Sequence, residues 1–157
     1  MANSPPIPSR DPVVEKSGLI TRVWQVYFRN LRTDIDVAPA ALHQVTLTGQ
    51  TASIAATAIP SDALTAGLYR VSWYARITTA ATTSSSLTVT VGWTEGAVPL
   101  TVSGAAMTGN TTTTVQNATQ VLQVDGSTPV TYATTHASSG ATAMVYELTV
   151  LLEQLQA

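Results

Sequence analysis

SLTVTVGW, residues 86–93, decides the fold class. Leu87, Val89, Val91 and Trp93 fall on one side of an extended chain and Ser86, Thr88, Thr90 and Gly92 on the other. A period of two is the signature of a β-strand with one face buried. Further along, Met144, Tyr146, Leu148, Val150 and Leu152 share a face, opposite Val145, Glu147, Thr149 and Leu151. In 121–125, Val121 and Gln123 oppose Leu122 and Val124. Earlier, 67–78 sets Tyr69, Val71 and Trp73 against Arg70, Ser72 and Tyr74. That alternation makes Trp73 and Trp93 core aromatics rather than a sugar-stacking platform with Tyr74, and it leaves Arg70, Tyr74 and Arg76 together on the outer face as a candidate ligand or subunit contact.

Working outward, eight strands are expected, at 42–48, 51–59, 67–78, 86–94, 98–103, 119–125, 129–136 and 142–152. Turn residues separate them: Pro60-Ser61-Asp62, Ala66-Gly67, Glu95-Gly96, Gly109-Asn110, Asp125-Gly126 and Ser139-Gly140. Residues 79–86 and 103–118 are hydroxyl-rich and weakly patterned, and read as loops. No helical pattern falls between the strands, which argues against a parallel βαβ sheet. The expectation is a mainly β protein, an antiparallel jelly-roll-like β-sandwich with one N-terminal amphipathic α-helix. Alternation alone does not encode the strand order.

The helix is expected over 17–32, SGLITRVWQVYFRNLR. Leu19, Val23, Tyr27 and Leu31 recur every four residues, with Ile20, Trp24 and Phe28 in a second row beside them, a wide apolar stripe. Ser17 is placed to cap its start, and Arg29 and Arg32 suit the negative end of its dipole. Trp24, Tyr27 and Phe28 are three of the chain's nine aromatics. A sandwich buries its faces sheet against sheet and has little need of such a helix. These seven side chains are therefore candidate contacts to other copies of the chain or to a larger particle. Before the helix, residues 1–12 carry Pro5, Pro6, Pro8 and Pro12 and read as an extended arm. The division expected is 1–36 for arm and anchoring helix and 37–157 for the sandwich.

Composition narrows the function classes. Of 157 residues 45% are hydrophobic and only 10% charged, against roughly a quarter charged in ordinary soluble domains. Thr, Ser and Ala take the place of charge, giving a hydroxyl-covered exterior with weak protection against association. The net charge of −2 gives no bulk attraction to nucleic acid, although five of the seven basic residues lie in the first 32 positions. Cys is absent, which excludes disulfides and thiolate chemistry. There is no apolar run of the roughly 18 residues a membrane span needs and no secretory signal, so synthesis in a cytoplasm and no membrane insertion are expected.

Catalytic and metal signals are weak. His43 and His136 lack ligand spacing, and Asp34 and Asp36 are followed by no Gly-centred calcium loop. Asp62, Glu95 and Asp125 fall in turns, where acids serve conformation, and no pair of carboxylates stands out for glycoside hydrolysis. No Gly-x-Ser-x-Gly elbow or Lys-containing phosphate loop occurs. The expectation is no enzyme, no cofactor and no metal.

Residues 18–31, GLITRVWQVYFRNL, resemble a short N-terminal element of small tailed-phage virion proteins, through Gly18, Leu19, Ile20, Thr21, Trp24, Tyr27, Phe28 and Leu31. Residues 67–96 resemble a β-rich module of phage head-fibre, decoration and tail-fibre proteins, through Gly67 to Val71, Tyr74, the Thr/Ser-rich turn and Leu87 to Trp93; Pro129-Val130-Thr131-Tyr132 also fits. The resemblance implies a structural virion component made in a bacterial host. It would be assembled from its own copies as a homotrimer, against other phage capsid or tail proteins. It carries no catalytic residue. The other function in view is a receptor-binding module for bacterial surface glycan, using 79–86, 103–118 or the Arg70/Tyr74/Arg76 face.

Overall fold

The structure, a computed structural model, describes residues 13, 20–35, 41–61 and 64–156, with side chains described at 13, 20–29, 43–61 and 64–155. Two compact units divide between Pro39 and Ala40. The first holds helix α1, Arg22–Ile35. The second holds eight strands: β1 Ala41–Gln50, β2 Ile54–Ala58, β3 Gly67–Thr79, β4 Ser84–Glu95, β5 Val98–Ser103, β6 Val115–Val124, β7 Thr131–Ser139 and β8 Val145–Gln156.

All pairings are antiparallel, in two four-stranded sheets ordered β1-β8-β3-β6 and β2-β7-β4-β5. Successive strands mostly jump between sheets, and the two orders interleave as two Greek keys. The domain is a jelly-roll sandwich.

Between the sheets lies a core built from alternate positions. Tyr69, Val71, Trp73, Ala75 and Ile77 of β3 are buried, as are Leu87, Val89 and Val91 of β4 and Leu122 and Val124 of β6. From β8 and the residue before it come Tyr146, Leu148, Val150, Leu152 and Met144, all at 0% exposure. β-Branched and aromatic residues suit these positions because they pack well on a pleated surface. Trp93 is only partly buried against this core, at the end of its strand, and its indole N–H has no acceptor among the described residues.

Several expected boundaries are corrected. β6 starts at Val115, not 119, and the stretch before it is more ordered than a free loop. Met107 is buried and forms an isolated antiparallel bridge with Leu87. The supposed loop 79–86 shrinks to 80–83, because β3 runs through Thr79 and β4 begins at Ser84. At 79 and 84–86 Thr and Ser fill strand positions on both faces, and at 115–118 Val-Gln-Asn-Ala sets its one large apolar residue outward, so neither stretch shows the usual apolar contrast. The expected strand at 51–59 begins only at Ile54.

Candidate functional site

In the helical unit, α1 begins at Arg22 rather than Ser17, since Ile20 and Thr21 are not helical, and it continues past 32 to Ile35. Ser17 lies outside the described residues. The first turn is closed by the Thr21 carbonyl, which accepts from the Gln25 N–H at 2.9 Å, while the Gln25 side-chain amide donates to the Ile20 carbonyl at 2.8 Å. Trp24, Tyr27 and Phe28 fall at i, i+3 and i+4, adjacent on one face. Their ring centroids are 5.5–5.6 Å apart, with Tyr27 edge-on to both neighbours. Mutual packing leaves Trp24 and Tyr27 half-buried, while Phe28, Ile20 and Val23 are 44%, 45% and 46% exposed. Val26, which the expected rows omit, is exposed as well. Leu19 lies outside the described residues, and Leu31 is described only as helical backbone.

In the sandwich, Arg70, Tyr74 and Arg76 share the outer face of the β1-β8-β3-β6 sheet, as alternation requires. Each arginine is paired across to β8: Arg70 Nε donates to Glu153 Oε2 at 2.6 Å, and Arg76 Nε lies 2.9 Å from Glu147 Oε1. The ladder creates both pairs, because Arg70 registers with Glu153 and Arg76 with Glu147. The bond from Arg70 holds the Glu153 carboxyl below its ordinary range. This face is therefore locally neutral, with Tyr74 exposed between the two pairs.

The outer face of the other sheet is chemically different. Its strand positions include Ser86, Thr88, Thr90 and Thr94 of β4, Thr131, Ala133 and Thr135 of β7 and Thr101 and Ser103 of β5, with no ionisable side chain on its described strand interiors. Hydroxyl pairs link the strands, Thr90 to Ser103 at 2.8 Å and Ser84 to Ser139 at 2.7 Å. An open depression of about 240 Å³ lies over Gly92, rimmed by Thr94, Pro99, Thr101 and Thr131. A Cβ on Gly92 would come within 2.7 Å of Thr131 Oγ1.

Three polar devices escape sequence reading. The Asn110 side chain accepts from the Ala81 N–H and donates to the Ala81 carbonyl, both at 2.8 Å, acting like a short strand against that loop; Ser85 also donates to it. Asp125 accepts from the Ser127 hydroxyl at 2.6 Å and from the Ser127 and Ala97 N–H groups at 2.9 Å, and these bonds lower its pKa, the hydroxyl most. Inside the sandwich a directed chain runs between the sheets. The Ile54 N–H donates to Thr134 Oγ1 at 2.9 Å, and the Tyr146 hydroxyl donates to the Ala52 carbonyl at 2.9 Å. With the ends fixed, the 2.7 Å bond in the middle has Thr134 donating to Tyr146. Burial pushes the Tyr146 phenol up. His136 stacks on Tyr146 at 5.8 Å, and the Met144 carbonyl 3.2 Å from Nε2 selects the tautomer protonated there. Asp125 and Asn110 were legible only as turn residues, and His136 only as a histidine without a ligand partner. Among the described residues no three His, Asp or Glu side chains cluster as metal ligands, and no helix is long and apolar enough to cross a membrane.

No protein family and no curated protein matches this sequence. Among solved structures the chain is similar to PRD1 vertex protein P5, at 16% identity and a TM-score of 0.44 over 74% of this chain and 98% of that one. It is also similar to a "Family 16 Carbohydrate Binding Module-2", at 10% identity and a TM-score of 0.32 over 66% of this chain and 70% of that one.

Proposed function

We propose that this chain is a non-enzymatic structural component of a bacteriophage virion, a head-fibre, decoration or tail-associated protein attached through its N-terminal arm and helix and assembled from its own copies. The observation that carries the reading is the aromatic face of α1. Phe28, Ile20 and Val23 keep nearly half of their surface in water beside the Trp24–Tyr27 pair. Such a cluster is the form an anchoring hot spot takes. The sandwich, for its part, fills its core from its own strands and loops. The sequence resemblance at 18–31 and 67–96 supports the virion setting, and the hydroxyl-coated sheet suits long exposure outside a cell. Three copies is what the resemblance implies.

The test is to place Trp24→Glu and Phe28→Glu together in the full chain and measure its incorporation into particles assembled in an infected host. The variant is expected to fold and be missing from purified particles; normal incorporation refutes the anchoring role. The depression over Gly92, an apolar lining of Trp93, Pro99 and Pro129 with threonines at its rim, favours a second reading as a receptor-binding module for bacterial surface carbohydrate. Glycan-array binding by the full chain, lost in Gly92→Leu, would support it; an array with no bound glycan would leave the structural role.

A further inference from the structure

Four strand edges close the two sheets, and three of them are blunted. β1 breaks register at Ala41/His43 and again at Leu47/Gln50. β2 has five residues and a register break between Ile54 and Thr57. β5 has six residues and carries Pro99. Short length, bulges and proline are the usual protections against edge-to-edge pairing.

The fourth edge, β6, has none of them. Ten residues, VQNATQVLQV, run in unbroken register along β3, from Val115 opposite Arg76 to Val124 opposite Gly67. The strand contains no proline and no charge. Among the described residues, no backbone group of Val115–Val124 bonds outside the β3 ladder. Alternate N–H and C=O groups along this edge therefore face outward, ready for another strand. Two of its side chains are also out of place on a surface: Val121 is 58% exposed and Val115 48%.

These valines lie three residues either side of Ala118. An antiparallel pair of β6 strands with a two-fold axis at Ala118 sets each Val115 directly across from the partner's Val121, on the same outer face. Both exposed valines are thus covered by two identical cross-strand contacts, and the absence of charge lets two copies meet without repulsion.

We propose that β6 is a dimerisation edge, occupied by β6 of a second copy in this register, which joins the two β1-β8-β3-β6 sheets into one. The inference deepens the self-assembly part of the proposed function and rests on that part only; it assigns two copies where the resemblance implies three.

Sedimentation of the full chain at micromolar concentration tests it. A dimer is expected. Val115→Lys with Val121→Lys puts like charges across both contacts and should raise the dissociation constant on the order of 100-fold or more. Val115→Lys with Val121→Glu puts opposite charges across the same contacts and should keep the dimer. A monomeric unaltered chain, a dimer indifferent to the two lysines, or equal loss in both variants would overturn the proposal. Should the double-lysine variant not fold, amide exchange on the unaltered chain decides: outward amides of 115–124 must lose protection on dilution, and exchange independent of concentration refutes the contact. Association that survives the lysines but disappears in the Trp24→Glu/Phe28→Glu chain overturns this inference while leaving the helix reading standing.

Discussion

Replacing Thr134 by Val keeps the shape of the side chain and removes its hydroxyl from the chain that runs Ile54–Thr134–Tyr146–Ala52. The Ile54 N–H loses its acceptor, and Tyr146, fully buried, loses its incoming donor while still bonding Ala52. An orphaned buried donor costs about 1–3 kcal/mol and a lost partner for a still-bonded hydroxyl about 0.5–1 kcal/mol, so the substitution should destabilise by roughly 2–3 kcal/mol. Tyr146→Phe acts on the other side of the same bond. Ala52 is exposed and its carbonyl can turn to water, while Thr134 still accepts from Ile54 but has nowhere to donate. Its cost should be smaller, about 1–1.5 kcal/mol. In the double variant the middle bond is gone with no orphan at either of its ends, so the combined cost should fall short of the sum by about 1 kcal/mol. Urea unfolding of the four chains of this cycle, with m held constant, measures the coupling. Additivity within about 0.3 kcal/mol, or Thr134→Val milder than Tyr146→Phe, would refute the directed chain.

The β4–β5 turn offers a gain of stability. Gly96 and Ala97 both have positive φ, 54° and 65°, the conformation of a two-residue hairpin turn that favours glycine second. Ala97→Gly should therefore stabilise by about 1 kcal/mol in denaturant unfolding; a loss of stability would show that the turn carries no strain. Asn110→Ala removes both bonds to Ala81 and the one from Ser85 and should cost about 2–3 kcal/mol, read as a fall in melting temperature. Asp125 and Glu153 have lowered pKa values, so their contribution is full above the ordinary carboxylate range and is lost as pH falls through their folded values. Unfolding midpoints followed downward from neutral pH should drop through that acid window, less steeply in Asp125→Asn and in Glu153→Gln.

How much of this was written in the sequence depends on contrast. Met144 to Leu152 places a large apolar side chain at every second position, and every expected inward residue there is buried. Trp73 went to the core because Tyr69 and Val71 share its parity. Where Thr and Ser filled both faces the signal disappeared and both ends of the 80–83 turn were misplaced; the start of β6 was missed because Val115 points outward between polar neighbours. The strand order was not legible, because outside the β4–β5 hairpin pairing partners lie tens of residues apart and alternation says only which way a side chain points. The arginine face was found by parity, yet its neutralising partners were not. Glu147 and Glu153 meet Arg76 and Arg70 only through the β3–β8 register. The apolar stripe at 20–28 was visible from spacing, whereas the start of the helix was placed at Ser17 and lies at Arg22.

The two broad faces of the sandwich also answer differently to their surroundings. Ion pairs beside Tyr74 weaken as salt rises. The outer face that carries Thr88, Thr90, Thr131 and Thr135 has no charged side chain on its described strand interiors, and its hydration rests on neutral hydroxyls. A particle coated with that side outward would present the same wetted exterior to pond water, brine or an acidic gut.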